Sequence, residues 1–204
     1  MNRDFVAIIL VIAFAVTLAF AVTESANATV IHFGNDVEFS KGGNHMPHYL
    51  LGSRIQVTTA ITLTGVGVIF KKLGGHGEVG VYSDDLGKPG HLIADSGIFS
   101  IASTGRVELP LPAMSIDAGN YWFMAVYEVD SSIGLRTYIE GGPDVAYIRF
   151  GFGNALPSQF PQPLTYYGQE FNYYLIGTAV PEPSTLALAA LGIFGLLIAA
   201  RRNR

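Results

Sequence analysis

Two long apolar runs, one near each end, constrain the chain most. Phe5 to Val22 is apolar except for Thr17, and Leu186 to Ala200 is apolar throughout. A helix that half-buries itself on a soluble core carries an apolar stripe and a polar face. Neither run has a polar face. Both therefore stand outside the folding unit, which must be built from the stretch between them.

The N-terminal run reads as a secretory signal peptide. Arg3 supplies a positive start, Thr23-Glu24-Ser25 restores polarity, and Ala26-Asn27-Ala28 is a small-x-small cleavage pattern. That order places the cut after Ala28. The competing reading is a retained anchor, because the run approaches the roughly 20 residues a membrane helix needs. At the other end, the apolar run stops at Arg201-Arg202-Asn203-Arg204. Positive flanks stay cytoplasmic, so Arg201, Arg202 and Arg204 set the topology of a transmembrane helix over 184–200. The run is short for a span, and flanking arginines can snorkel to close the difference.

The middle, residues 29–177, carries eight Lys and Arg against thirteen Asp and Glu, a net charge of −5. It has no basic patch, so nucleic acid is not an expected partner. A domain of about 150 residues can bury a sufficient core without covalent staples. The chain has no cysteine, which excludes thiol catalysis and zinc–thiolate sites and suits an exported domain that needs no disulfide.

Strand signals fill this middle, and no amphipathic helix interrupts them. Val107, Leu109, Leu111 and Ala113 alternate with Arg106, Glu108, Pro110 and Pro112. That is a period of two with one buried face, and the prolines place the strand at an edge. Tyr121 to Val129 is apolar on both faces at first, which predicts a central strand with Trp122 in the core. Ala146, Ile148, Phe150 and Phe152 alternate again, and Tyr173 to Ile176 form a last strand. Between Ile61 and Phe70 the apolar phase switches near Gly65 and Gly67, which predicts a β-bulge. Glycine-bearing turns separate the runs at Gly74-Gly75, at Leu86 to Gly90, at Ser103 to Gly105 and at Asp117 to Asn120. Short strands with such turns predict an all-β fold, a jelly-roll-like β-sandwich, flanked by the N-terminal signal helix and the C-terminal transmembrane helix.

Between sandwich and tail stands Val180-Pro181-Glu182-Pro183-Ser184-Thr185. Two prolines two apart hold the segment extended, and Pro183 suits the first turn of the following helix. The triplet Pro181, Glu182 and Pro183, the apolar helix and the arginine end resemble the PEP-CTERM sorting signal of exported proteins in Gram-negative bacteria that make exopolysaccharide. The resemblance covers about the last 25 residues. It implies processing near the triplet by an exosortase, a membrane-embedded transpeptidase-like enzyme. The expected route is an inner-membrane precursor, then the cell surface or extracellular matrix.

A second resemblance lies in the middle. Val79-Gly80-Val81-Tyr82-Ser83-Asp84-Asp85-Leu86-Gly87-Lys88-Pro89-Gly90, then Leu92-Ile93-Ala94 and Ala118-Gly119-Asn120-Tyr121-Trp122, are similar to stretches of the choice-of-anchor R domain. This likeness spans Gln56 to Gly177 but is distinctive only in those patches. It implies a bacterial surface protein with a lectin-like sandwich and no assigned activity.

Candidate chemistry is sparse. Asp84 and Asp85 sit in a Gly/Pro turn, where carboxylates can hold calcium with backbone carbonyls or simply start the turn by bonding their own backbone. His45-Met46-Pro47-His48 has helical metal spacing, but Pro47 opposes a helix, so these read as exposed loop histidines. Glu78, Glu108, Glu128, Glu140 and Glu170 are the carboxylates from which a glycan-hydrolysing pair would be drawn. Tyr166 and Tyr167 lie in a Pro/Gly/Gln-rich stretch and are the candidates for stacking on a sugar, whereas buried aromatics fill the core. The expectation is thus a non-enzymatic structural or adhesion protein of the envelope, with no cofactor or metal, associated with exopolysaccharide. A carbohydrate-binding module is the first alternative and a glycan hydrolase the second.

Overall fold

The computed structural model describes residues 29–137, 145–166 and 168–179. Both apolar runs, the sites at Ala26 and Ala28, the triplet Pro181-Glu182-Pro183, the three C-terminal arginines, Glu140 and Tyr167 lie outside them. Among the described residues there is no helix long and apolar enough to cross a membrane.

The described chain is all strand and loop. Its strands are β1 Val30–Gly34, β2 Gly42–His45, β3 Tyr49–Val57, β4 Ile61–Phe70, β5 His76–Asp85, β6 Lys88–Ser100, β7 Gly105–Ile116, β8 Gly119–Tyr127, β9 Ser131–Thr137, β10 Val145–Arg149, β11 Leu164–Tyr166, β12 Gln169–Phe171 and β13 Tyr173–Ala179. They form two antiparallel sheets. One runs β1-β13-β4-β9-β12, with β7 also on β4 and β2 also on β9; the other runs β11-β10-β3-β8-β5-β6. The two sheets face each other across one apolar core. β4, β7 and β13 contribute Leu63, Phe70, Leu111 and Leu175, and the opposite sheet contributes Ile55, Val79, Val81 and Phe123.

β8 is the central strand its sequence predicts, held by β3 on one side and β5 on the other. Alternate residues of a strand point to opposite faces. Phe123, Ala125 and Tyr127 enter the core between the sheets. Trp122, Met124 and Val126 belong to a second apolar cluster with Leu50, Tyr82, Ala146, Leu156 and Phe160. Trp122 is fully buried, but in this second cluster rather than between the sheets. The cover comes from the segment after β10. The predicted alternation of Phe150 and Phe152 does not continue the strand: β10 ends at Arg149, and both rings pack on the second cluster from a loop. That loop is tied down at Leu92 N–H to Ser158 O (2.9 Å) and Phe160 N–H to Gly90 O (2.8 Å).

The predicted phase switch in β4 is a bulge at Thr64. Leu63 and Gly65 are matched to Gly177 and Ile176 on β13, which leaves Thr64 unmatched; the register with β7 also slips between Leu63 and Gly65. The slip carries Ile61 and Leu63 before it, and Val66, Val68 and Phe70 after it, into the same core. β7, with its two prolines, pairs with β4 alone among the described strands, as an edge strand does. At Gly67 a β-carbon would overlap the Tyr174 ring, which lies across this position.

Candidate functional site

Both ends of the sandwich lie in one ladder. β1 and β13 are antiparallel neighbours, and Val30, the first strand residue, faces Thr178, the last but one. A cut after Ala28 would leave Thr29 alone ahead of β1. β13 runs to Ala179, held there by Ile61 of β4. Pro181 is the second residue beyond it.

The Asp84–Asp85 turn is a two-residue hairpin. Asp85 is matched to Lys88, and Leu86 and Gly87 between them take φ of 52° and 83°. Positive φ at both central positions is the hairpin turn whose twist fits its strands. Leu86 is 98 % exposed, so nothing but the turn holds it there. Both Asp84 oxygens are engaged: Oδ1 accepts the Trp122 indole N–H at 2.8 Å and Oδ2 accepts Gly87 N–H at 3.0 Å. Asp85 is exposed and points to the other face of the strand. The two carboxylates are thus not brought together. No three His, Asp or Glu side chains converge as metal ligands among the described residues.

His45 is not an exposed loop histidine. It ends β2 and is 1 % exposed. Its Nδ1 lies 3.1 Å from the Tyr173 hydroxyl and its Nε2 3.1 Å from Tyr49 O. A carbonyl only accepts, so Nε2 carries the proton and Nδ1 accepts from Tyr173. The Tyr127 ring meets the imidazole edge-on at 4.7 Å. Burial dominates over the Tyr49 hydrogen bond and lowers the His45 pKa to about 4. His48 stays apart at a positive φ of 63°.

Among the described residues, the candidate glutamates sit on separate elements and have different partners. Glu108 accepts from the Tyr174 hydroxyl (3.0 Å) and pairs with Arg106. Glu128 pairs with His76 at 2.7 Å. Glu78 is buried, and desolvation followed by the charge of Asp95 raises its pKa. Glu170 lines a cleft of about 360 Å³ together with Asn35, Ser53, Gln56 and Asn120 over Phe171. Ser53 is 4 % exposed, and its hydroxyl has no hydrogen-bond partner among the described residues. Of the tyrosines proposed for sugar stacking, Tyr166 ends β11 opposite Val145, which on its other side is matched to Ser53 of β3.

The cleft escapes a reading of the sequence because it joins residues from five strands and one loop. Ser53 did leave a trace: it is the one polar residue in the inward series Leu51, Ser53, Ile55 and Val57. His45, in Gly-Gly-Asn-His, left none.

Compared with known proteins, residues 179–203 match the PEP-CTERM protein-sorting motif. No curated protein and no solved structure matches the chain. These comparisons do not show the resemblance of the middle to the choice-of-anchor R domain. The matched motif is that of an exported protein which crosses the membrane and is processed by an exosortase, and it starts on Ala179, the residue on which β13 ends.

Proposed function

We propose that the chain is a non-enzymatic structural or adhesion protein of the bacterial surface or matrix. A signal peptide cut after Ala28 exports it, the helix over 184–200 holds the precursor in the inner membrane, and an exosortase cuts near Pro181-Glu182-Pro183. The observation that carries this reading is the sorting motif at residues 179–203 attached to a two-sheet β-sandwich. The patches similar to the choice-of-anchor R domain support the surface assignment, and association with exopolysaccharide follows from the company such tails keep. Mass spectrometry of the mature protein from an exosortase-bearing host tests it. The expected product starts at Thr29 and ends near the triplet; a product that retains 5–22 and 186–200 sinks it.

A carbohydrate-binding role is the second reading, favoured by the polar cleft with its buried Ser53 hydroxyl, unpartnered among the described residues. Side-chain amides, hydroxyls and a carboxylate supply the mixed donors and acceptors that sugar hydroxyls need. Pull-down on the host polysaccharide separates two versions of it. Loss with Ser53→Val points to the cleft, loss with Tyr166→Ala and Tyr167→Ala to those rings, and no retention of the wild-type protein removes the role.

A further inference from the structure

The sorting motif has no spacer. Its match starts at Ala179, which is still paired with Ile61, and Thr178 is paired on both sides, with Val30 of β1 and Thr62 of β4. An enzyme that cuts a peptide bond binds the substrate as an extended strand with residues on both sides of the bond. Such a strand advances about 3.3 Å per residue, so four residues ahead of a cut near Pro181 reach back to Gly177. Those residues cannot lie in the enzyme and in the sheet together.

β13 has two unlike halves. Tyr173, Tyr174 and Leu175 are fully buried, and Tyr173 stacks on Phe123 with ring centres 4.3 Å apart. Then the register with β4 slips, between Ile176 and Gly177. Beyond the slip come only Gly177, Thr178 and Ala179, with Thr178 and Ala179 half-buried. Gly177 brings no side chain, and a β-carbon there would sit 2.8 Å from Thr62 O. None of these three carries a large apolar side chain, so withdrawing them uncovers Ile61 beside Gly177 but takes no large side chain out of the core, as withdrawing Tyr174 and Leu175 would. A strand end with few buried apolar contacts is where local opening is cheapest.

We infer that Gly177–Ala179 is a peel-off segment: it leaves β1 and β4, up to the bulge, when the sorting enzyme takes the motif, so the folded sandwich sets the rate of its own processing. This rests on the exosortase reading above. It makes the end of β13 part of the recognised substrate.

The test is a pulse-chase of full-length precursor in an exosortase-bearing host. Val30→Cys with Thr178→Cys staples β1 to β13. The two residues are direct cross-strand partners, about 4.5–5.5 Å apart as such pairs are and within disulfide reach. The chain has no other cysteine to compete. The oxidised, stapled precursor should mature at least about tenfold more slowly, equivalent to ~1.4 kcal/mol of added opening free energy, and reductant should restore the rate. A six-residue Gly/Ser insert between Ala179 and Val180, flexible and long enough to fill a binding groove, should restore it without reductant. In the unstapled precursor the same insert should speed maturation, which needs no cysteine pair to fold. Wild-type maturation of the oxidised staple, or failure of the insert to rescue it, overturns the peel-off segment while leaving the sorting reading intact. Alanine at Pro181, Glu182 and Pro183 is the control: if that precursor matures as wild type does, the sorting reading falls and the peel-off segment with it.

Discussion

Acidification should loosen this domain through His45. In the folded state the imidazole is enclosed by Tyr127, Tyr173 and Tyr49 and its pKa is about 4; in the unfolded chain it returns to 6.5. The folded state therefore binds fewer protons than the unfolded state between those values, and stability falls as pH falls. The contribution is fully present above about pH 6.5, is lost progressively below it, and is exhausted below about pH 4. Each pH unit separating the two pKa values is worth about 1.36 kcal/mol, so the loss is ~2 kcal/mol between pH 7 and pH 5 and about 3 kcal/mol in all. The assay is urea denaturation across pH 7 to pH 4, for the wild type and His45→Gln. Glutamine can accept from Tyr173 and donate to Tyr49 O without taking up a proton. It should be less stable at pH 7, for its poorer fit, yet lack this part of the slope. Glu78 acts in the opposite sense: its raised pKa makes the folded state take up a proton sooner than the unfolded chain, and that contribution cancels between the two proteins. Parallel pH curves for wild type and His45→Gln would refute the argument, because His45 would then be protonated in the folded state without penalty.

Trp122→Ala should destabilise by about 3–5 kcal/mol, since it empties the second cluster and removes the donor to Asp84; a change within about 0.5 kcal/mol in urea denaturation would mean the ring is not core. Leu86→Gly should stabilise by up to ~1 kcal/mol, because glycine takes a positive φ without the β-carbon penalty, and an unchanged or lower denaturation midpoint would count against the hairpin geometry. Gly67→Ala should lower the urea midpoint by the equivalent of about 1–3 kcal/mol by displacing the Tyr174 ring. Two charged residues beside Gly192 should cost about 5–7 kcal/mol of membrane insertion and release the chain without correct processing, whereas alanine at Pro181, Glu182 and Pro183 should leave a membrane-bound, full-length precursor on a blot of the two fractions.

Features that depend on local pattern were legible in the residues alone. Alternation made β7 an edge strand and β8 a two-faced central one, because side chains on a strand repeat every two residues and prolines cannot donate to a ladder. The switch from Leu63 to Val66 announced the bulge for the same reason. The sorting motif was legible because its three parts are contiguous and are read as a peptide. Features that depend on which strands meet came only with the packed chain. Trp122 is core by its sequence, but the second core that holds it exists only because the loop from Phe150 to Phe160 folds over the sheet. His45 is buried because β2 and β13, 128 residues apart, bring it to Tyr173. The cleft around Ser53 needs β3, β12 and the end of β1 together. The pairing of Val30 with Thr178, which puts the first and last strands in one ladder, likewise has no local signal: hydrogen-bonded registry between distant strands is fixed by how the whole core packs, and no window of residues contains it.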